Sequence, residues 1–296
     1  MSTYTCRWCG LSCDPDNQAS CPHCGAPVDV REEVSDSGWE ELPPIKDMAR
    51  LQCGQSSCQV EGAYVPVADF NLAQGDGVYF AHHQVLWMDP GVQISVMPMK
   101  GAWRRMFAGL PLIMVQAHGP GHIAFSRDAP GEMVAVPLQP GTALDVREHI
   151  FVVANHAVEY DWFQTNVWYT CRTGNDNNDT ETTFPIGQFM DRFVARDRPG
   201  LLVLHAAGNA FVRTLAPGQR ILIKPTALLY KDPSVQMRLH FEQPAFSSWR
   251  PFGRWGNSYI CLELAGPGRV AVHSAYDPLE LPGNIVQNSP ATVSRW

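Results

Sequence analysis

The sequence predicts an all-β protein, a body made of three copies of one sheet-forming unit with a small zinc ribbon ahead of it. Three observations lead there. The stretch Phe70 to Ile94 recurs without a gap at Val136 to Tyr160 and at Arg213 to Met237. An ungapped threefold match is the signature of an internal repeat. The 24 Gly and 24 Pro among 296 residues are too many for long helices and too dispersed for a linker protein, which suits short strands joined by tight turns. Finally, two Cys-x-x-Cys pairs stand close together at the N-terminus, with spacing that suits a metal.

The chain divides in order. Residues 1–27 hold Cys6-Arg7-Trp8-Cys9-Gly10 and Cys21-Pro22-His23-Cys24-Gly25, two knuckles each followed by a glycine that permits the turn behind the second thiolate. Cys6, Cys9, Cys21 and Cys24 together supply four soft ligands in a tetrahedral set, so the expected cofactor is a structural zinc. A segment this short cannot bury a core, and the metal would hold its fold together. Residues 28–48 are acidic, end near Pro43-Pro44 and form a linker. Residues 49–283 are the triplicated body, in copies of about 49–126, 127–212 and 213–283, and residues 284–296 are an unpatterned tail expected to fray.

Inside each copy the same chemistry returns at the same places. Leu72, Leu138 and Leu215 coincide, as do Gly75, Gly141 and Gly218, and Asp89, Asn155 and Asp232 each open a turn. Alternating residues such as Ile221-Leu222-Ile223-Lys224 read as strand, turn, strand, turn. A further apolar strand is expected after each: Leu112 to Gln116, Leu201 to His205 and Tyr259 to Leu264. Two of these run into Gly-Pro-Gly, while the middle copy offers Ala207-Gly208-Asn209. No copy can bury both faces alone, so the three are expected to pack about a pseudo-threefold axis. Cys53 and Cys58 suit a hairpin with buried thiols, and the insertion from Gly174 to Thr183 suits a loop.

Asp89-Pro90-Gly91-Val92, Lys100-Gly101, Phe107-Ala108-Gly109-Leu110, the Gly-Pro-Gly turns, Leu215-Ala216-Pro217-Gly218 and Asp232-Pro233-Ser234-Val235 resemble the mitochondrial-biogenesis family named for altered inheritance of mitochondria, number twenty-four. The resemblance covers roughly residues 50 to 275. It implies three β-sandwich subdomains like the tryptophan RNA-binding attenuator fold, of short double-stranded β-helix type. The ribbon looks like a module appended to some bacterial members. The family's eukaryotic relative is tied to organisation of the mitochondrial inner membrane, and the family supplies no catalytic residues to carry over.

Candidate chemistry is sparse. A formal charge of −7 argues against broad nucleic-acid affinity. The chain has no Gly-x-Ser-x-Gly elbow, phosphate loop or His-Glu-x-x-His helix. His82-His83, read as strand residues, would point to opposite faces and could not chelate one ion. His118, His122, His205 and His273 flank the Gly-Pro-Gly turns or their equivalents and could approach one another. An aromatic and basic stretch recurs with the repeat: Trp103, Arg104, Arg105 and Phe107, then Arg192 and Phe193, then Trp249, Arg250, Arg254 and Trp255. Two readings stand, a contact surface for a protein partner or anionic headgroups, or aromatics capping the β core with arginines snorkelling past them. The leading function is a non-enzymatic interaction or assembly module that binds a protein partner or an anionic membrane surface and can self-associate. The alternatives are a metal-dependent β-barrel enzyme with histidine ligands and a nucleic-acid-binding protein. With no apolar run of membrane-spanning length, the expected place is the cytoplasm, including a membrane-peripheral position.

Overall fold

In the computed structural model the residues described are 4–5, 10–13, 21–23, 37–42, 49–97, 114–172, 180–242, 259–277, 279, 285–288 and 293–295. The chain separates into two compact units, Met1–Glu40 and Glu41–Trp296. In the first, β1 (Tyr4–Thr5) pairs antiparallel with β2 (Ser12–Cys13). A further short strand, β3 (Glu40–Glu41), lies at the boundary. The second unit opens with a hairpin, β4 (Ala49–Cys53) and β5 (Ser56–Glu61), which buries Cys53 and Cys58 as expected.

Each copy is then six strands long. The first holds β6 (Val67–Leu72), β7 (Gly77–Ala81), β8 (Val85–Met88), β9 (Gln93–Val96), β10 (Met114–His118) and β11 (Gly121–Ser126). The second holds β12 (Glu132–Leu138), β13 (Thr142–Arg147), β14 (Phe151–Asn155) and β15 (Val158–Gln164). Its insertion carries β16 (Tyr169–Arg172) and β17 (Thr180–Thr183), and the copy ends with β18 (Phe189–Ala195) and β19 (Gly200–Ala206). The third holds β20 (Ala210–Leu215), β21 (Arg220–Ile223), β22 (Leu228–Lys231), β23 (Gln236–Glu242), β24 (Tyr259–Ala265) and β25 (Gly268–His273). In every copy the sixth strand pairs with the first and third, and the fifth with the second and fourth, all antiparallel. One unit therefore makes two three-stranded sheets.

Copies join where the third strand of one pairs with the second strand of the one before, β14 with β7 and β22 with β13. This fuses half-sheets into a six-stranded sheet, β12-β19-β14-β7-β10-β9, and a larger one containing β15-β18-β13-β22-β25-β20. One core lies between the β4-β5-β6-β11-β8 sheet and the six-stranded sheet, where Phe70, Phe80, Phe125 and Val203 meet. A second core lies on the opposite face of the six-stranded sheet, where Tyr79, Leu204, Phe193 and Tyr230 meet. A sheet covered on both faces needs apolar side chains in both directions. The unbroken run Leu201-Leu202-Val203-Leu204 in β19, buried throughout, meets that need.

Two repeated devices shape the copies. Gly75, Gly141 and Gly218 turn between first and second strands at φ of 85°, 79° and 77°, a left-handed conformation that glycine enters without penalty. Asp89, Asn155 and Asp232 each reach from the turn after the third strand to accept a backbone N–H from the sixth. The donors are His122, Leu201 and Arg269, at 2.8, 3.0 and 2.8 Å.

Several expectations need correction. Leu201 to His205 is a sixth strand, so the middle copy's counterpart of Gly119-Pro120-Gly121 is Arg198-Pro199-Gly200 and not Ala207-Gly208-Asn209. His82-His83 begin a 3-10 turn, His82–Gln84, and are not strand residues. Thr180–Thr183, expected in a loop, is strand β17 beside β16, and residues 173–179 lie outside the described residues. The tail holds β26 (Ile285–Asn288), paired with β16, and β27 (Val293–Arg295), parallel to β23. Two junctions link three copies in series, and β8 and β21 do not pair to make a third. The strand pairing alone does not build the expected threefold axis.

Candidate functional site

Of the expected zinc ligands, Cys21 is buried, while Cys6, Cys9 and Cys24 lie outside the described residues. In the chain β1 precedes and β2 follows the first knuckle, and Gly10, directly after Cys9, adopts φ 74°. Among the expected contact residues, Trp103, Arg104, Arg105, Phe107, Trp249, Arg250, Arg254 and Trp255 lie outside the described residues. Phe193 does not belong to a contact surface. Alternation along β18 turns it inward, where its ring sits 4.9 Å from Phe151 and 5.5 Å from Tyr160. Its neighbour Arg192 takes the other face, half-exposed, with its guanidinium 4.7 Å from the Phe163 ring centre.

Arg192 belongs to an ion cluster that spans the second junction. Asp145 on β13 is fully buried and accepts from Arg192 Nε at 2.6 Å and Nη2 at 3.0 Å, and from Lys231 Nζ at 2.8 Å. Lys231, on β22 of the next copy, is itself buried and stands directly opposite Asp145 in the register. Its ammonium also donates to the Asp232 carbonyl at 3.3 Å. The hydrogen bond to Asp145 holds the Arg192 guanidinium above its ordinary value, against the pull of burial. At the first junction the same two positions are Tyr79 and Ala154, and the contact is apolar. Sequence reasoning missed Asp145 and Lys231. The available signal was a charge inside an apolar strand, Leu144-Asp145-Val146 and Leu229-Tyr230-Lys231, at positions that are uncharged in the other copies.

The first junction opens on a cleft of about 100 Å³ whose polar lining includes Ser56, Asp76, Asn155, His156 and Arg198. Gly77 lets the His156 ring come close, since a Cβ there would lie 2.6 Å from Cε1. Burial, with His118 and Arg198 nearby, pushes the His156 imidazole below its ordinary value, so it is held neutral. The His118 and His156 rings meet edge to face at 5.0 Å. Ser56 donates to Asp76 Oδ2 at 2.7 Å and accepts from the Ala73 N–H, which ties its hydroxyl into the turn. Burial, with help from Asp76, raises the Cys53 thiol to about 11, so it stays protonated and unreactive at neutral pH.

The four histidines expected to flank the turns do not gather as one group: His205 and His273 come near enough to influence each other, while His118 meets His156 and His122 pairs with Asp69 at 3.0 Å. His205 bonds the Ala129 carbonyl and His273 that of Ala275, with Arg147 beside His273. Among the described residues no three His, Cys, Asp or Glu side chains are grouped to hold a metal.

The sequence model of the family described as mitochondrial biogenesis AIM24 matches residues 58–275, from the first hairpin to the end of the third copy. The chain belongs to that family. No curated protein matches this AIM24-family chain. Seven chains of solved structure do match. One is the crystal structure of a Streptococcus pyogenes protein, 16% identical, with a TM-score of 0.53 over 75% of this chain and 94% of that one. At that identity the likeness shows the fold alone. Among the described residues, no helix of the AIM24-family chain is long and apolar enough to cross a membrane.

Proposed function

We propose that the chain is a non-enzymatic assembly module, a triplicated β body that presents a surface to a protein partner or an anionic membrane. In this reading the N-terminal ribbon is a second contact piece, built around one structural zinc on Cys6, Cys9, Cys21 and Cys24. The observation that carries the reading is the use of the polar residues that the copies share. Asp89, Asn155 and Asp232 each clasp a backbone N–H of their own copy, and of the three only Asn155 also lines the first-junction cleft. Membership of a mitochondrial biogenesis family agrees with such a role. Arginines beside tryptophans at 103–105 and 249–255, in an acidic protein, carry the contact.

Co-sedimentation with vesicles of anionic lipid tests the membrane arm. Wild type pellets with the vesicles, and the variant with Trp103, Arg104 and Arg105 replaced by alanine stays in solution. Equal behaviour of the two removes that surface. Metal analysis of the full chain tests the ribbon: one zinc per chain supports it, none removes it, and a second metal points to the enzymatic alternative.

A further inference from the structure

The two junctions follow one rule, and applying it once more leaves two edges without strand partners among the described residues. At the first junction Phe80 stands opposite Val153, Tyr79 opposite Ala154 and Val78 opposite Asn155. At the second, Val146 stands opposite Tyr230 and Asp145 opposite Lys231. The repeat makes these the same pairs in the same register. The remaining second strand is β21 and the remaining third strand is β8, and each ends its sheet.

Their side chains tell the same story. Val152, Val153 and Ala154 on β14 are buried, as are Leu229, Tyr230 and Lys231 on β22. The matching residues on β8 are Leu86, Trp87 and Met88, exposed by 53%, 46% and 47%. On the other side, Tyr79 and Asp145 are buried, and the matching Leu222 is 46% exposed. Large apolar residues on an unpaired strand edge invite another strand. The occupant is specified by the chain itself, because β8 has the register and polarity that β21 would accept.

We propose that β21 of one copy of this chain pairs antiparallel with β8 of a second copy, repeating the internal junction between molecules. Met88 then faces Leu222 and Trp87 faces Ile223. The inference deepens the assembly reading, on which it rests, by naming a partner and an interface. Because the two edges differ, the contact is heterologous and propagates head to tail, as a closed ring or a filament.

The test uses the full-length protein, sedimentation across dilutions and three variants. Wild type gains mass in whole-chain steps as concentration rises. Leu222→Asp and Met88→Lys each remain monomeric at concentrations where wild type assembles, a loss of at least about tenfold in association for a buried unpaired charge. Both lie on exposed edges, so unchanged circular dichroism and melting show that each variant folds. Combining Leu222→Asp with Met88→Lys installs the pair that Asp145 and Lys231 form at the second junction, and restores assembly. Equimolar mixing of the single variants supplies the wild-type edge pair and the Leu222→Asp with Met88→Lys edge pair in alternation, so the mixture assembles as the double variant does. A wild type that stays monomeric at every concentration overturns the proposal, as does assembly that neither single variant weakens. Slow amide exchange on β8 and β21 in a monomer also overturns it, by showing that the edges close within one chain. A monomeric wild type that still pellets with anionic vesicles removes this interface and leaves the contact surface of the previous section standing.

Discussion

The two junctions between copies share backbone and register yet differ in chemistry. The first sets Tyr79 against Ala154 in an apolar core, and the second sets Asp145 against Lys231 in the same two positions. Equivalent geometry shows that the backbone pairing does not need the charges. A buried ion pair is weak evidence of added stability, because taking both charges out of water offsets most of their attraction. What the pair does supply is discrimination. An aspartate facing an alanine, or a lysine facing a tyrosine, would be stranded without a partner, so copy two and copy three recognise each other and not the other edges.

The sharpest way to break this comparison is to remove one charge. Asp145→Ala leaves Lys231 buried with only a backbone carbonyl at 3.3 Å, and is expected to cost about 3–5 kcal/mol in urea unfolding. Replacing both, Asp145→Tyr with Lys231→Ala, copies the first junction into the second and should recover most of that loss. If the double variant is as unstable as the single one, the pair contributes stability and not only discrimination. A step down in size are the clasps common to both junctions. Asp232→Ala leaves the Arg269 N–H without its 2.8 Å acceptor and also frees the Arg269 guanidinium, for an expected loss of about 1–3 kcal/mol. Asn155→Ala removes one neutral bond and should cost less.

Much of this architecture was legible in the sequence because it rests on local chemistry. Gly75, Gly141 and Gly218 mark turns and Asp89, Asn155 and Asp232 open turns, whatever packs around them, whereas their clasp on the sixth strand was not read. The middle copy was misaligned by one strand for a physical reason. Arg198-Pro199-Gly200 lacks the first glycine of its counterparts, and Ala207-Gly208-Asn209 imitates the turn. What stayed illegible depends on contacts between distant strands. Strand pairing across copies leaves no local mark, so the threefold axis was an expectation from the repeat alone, and the described pairing supplies two of the three junctions it would need. Phe193, which the sequence left as either a contact aromatic or a cap on the β core, lies in the core through alternation on β18. The contact stretches at 103–107 and 249–255 stand where the reading began, since they lie outside the described residues.

Acid should act on both sides of the comparison. His205 on β19 and His273 on β25 are buried, and burial pushes both below the ordinary value of 6.5, helped by Arg127 and Arg147. With folded values below the unfolded one, the unfolded chain binds more protons in that window. Stability is therefore full above about pH 6.5 and falls as pH drops below it, by at most about 1.4 kcal/mol per pH unit for each histidine. His156 at the first junction is shifted the same way, by burial with His118 and Arg198 nearby. His273→Gln should flatten the acid limb of a stability–pH curve measured between pH 5 and 8. An unchanged limb would assign the acid sensitivity elsewhere.

The smallest expected effect sharpens the apolar side. Tyr79 is buried against Phe151, ring centres 5.6 Å apart, and its ring lies parallel to His156 at 6.5 Å. Its hydroxyl has no hydrogen-bond partner among the described residues. Desolvation drives its ionisation well above the ordinary tyrosine value, which keeps the group neutral but does not satisfy it. Tyr79→Phe keeps every ring contact and deletes only the orphaned oxygen, so stability should rise by about 0.5–1 kcal/mol, read from thermal unfolding at pH 7. A gain would make the first junction apolar in energy as well as in composition, and widen the contrast with Asp145. A loss of similar size would mean that the hydroxyl is held by a buried water, and that the two junctions both depend on a polar group at this one position.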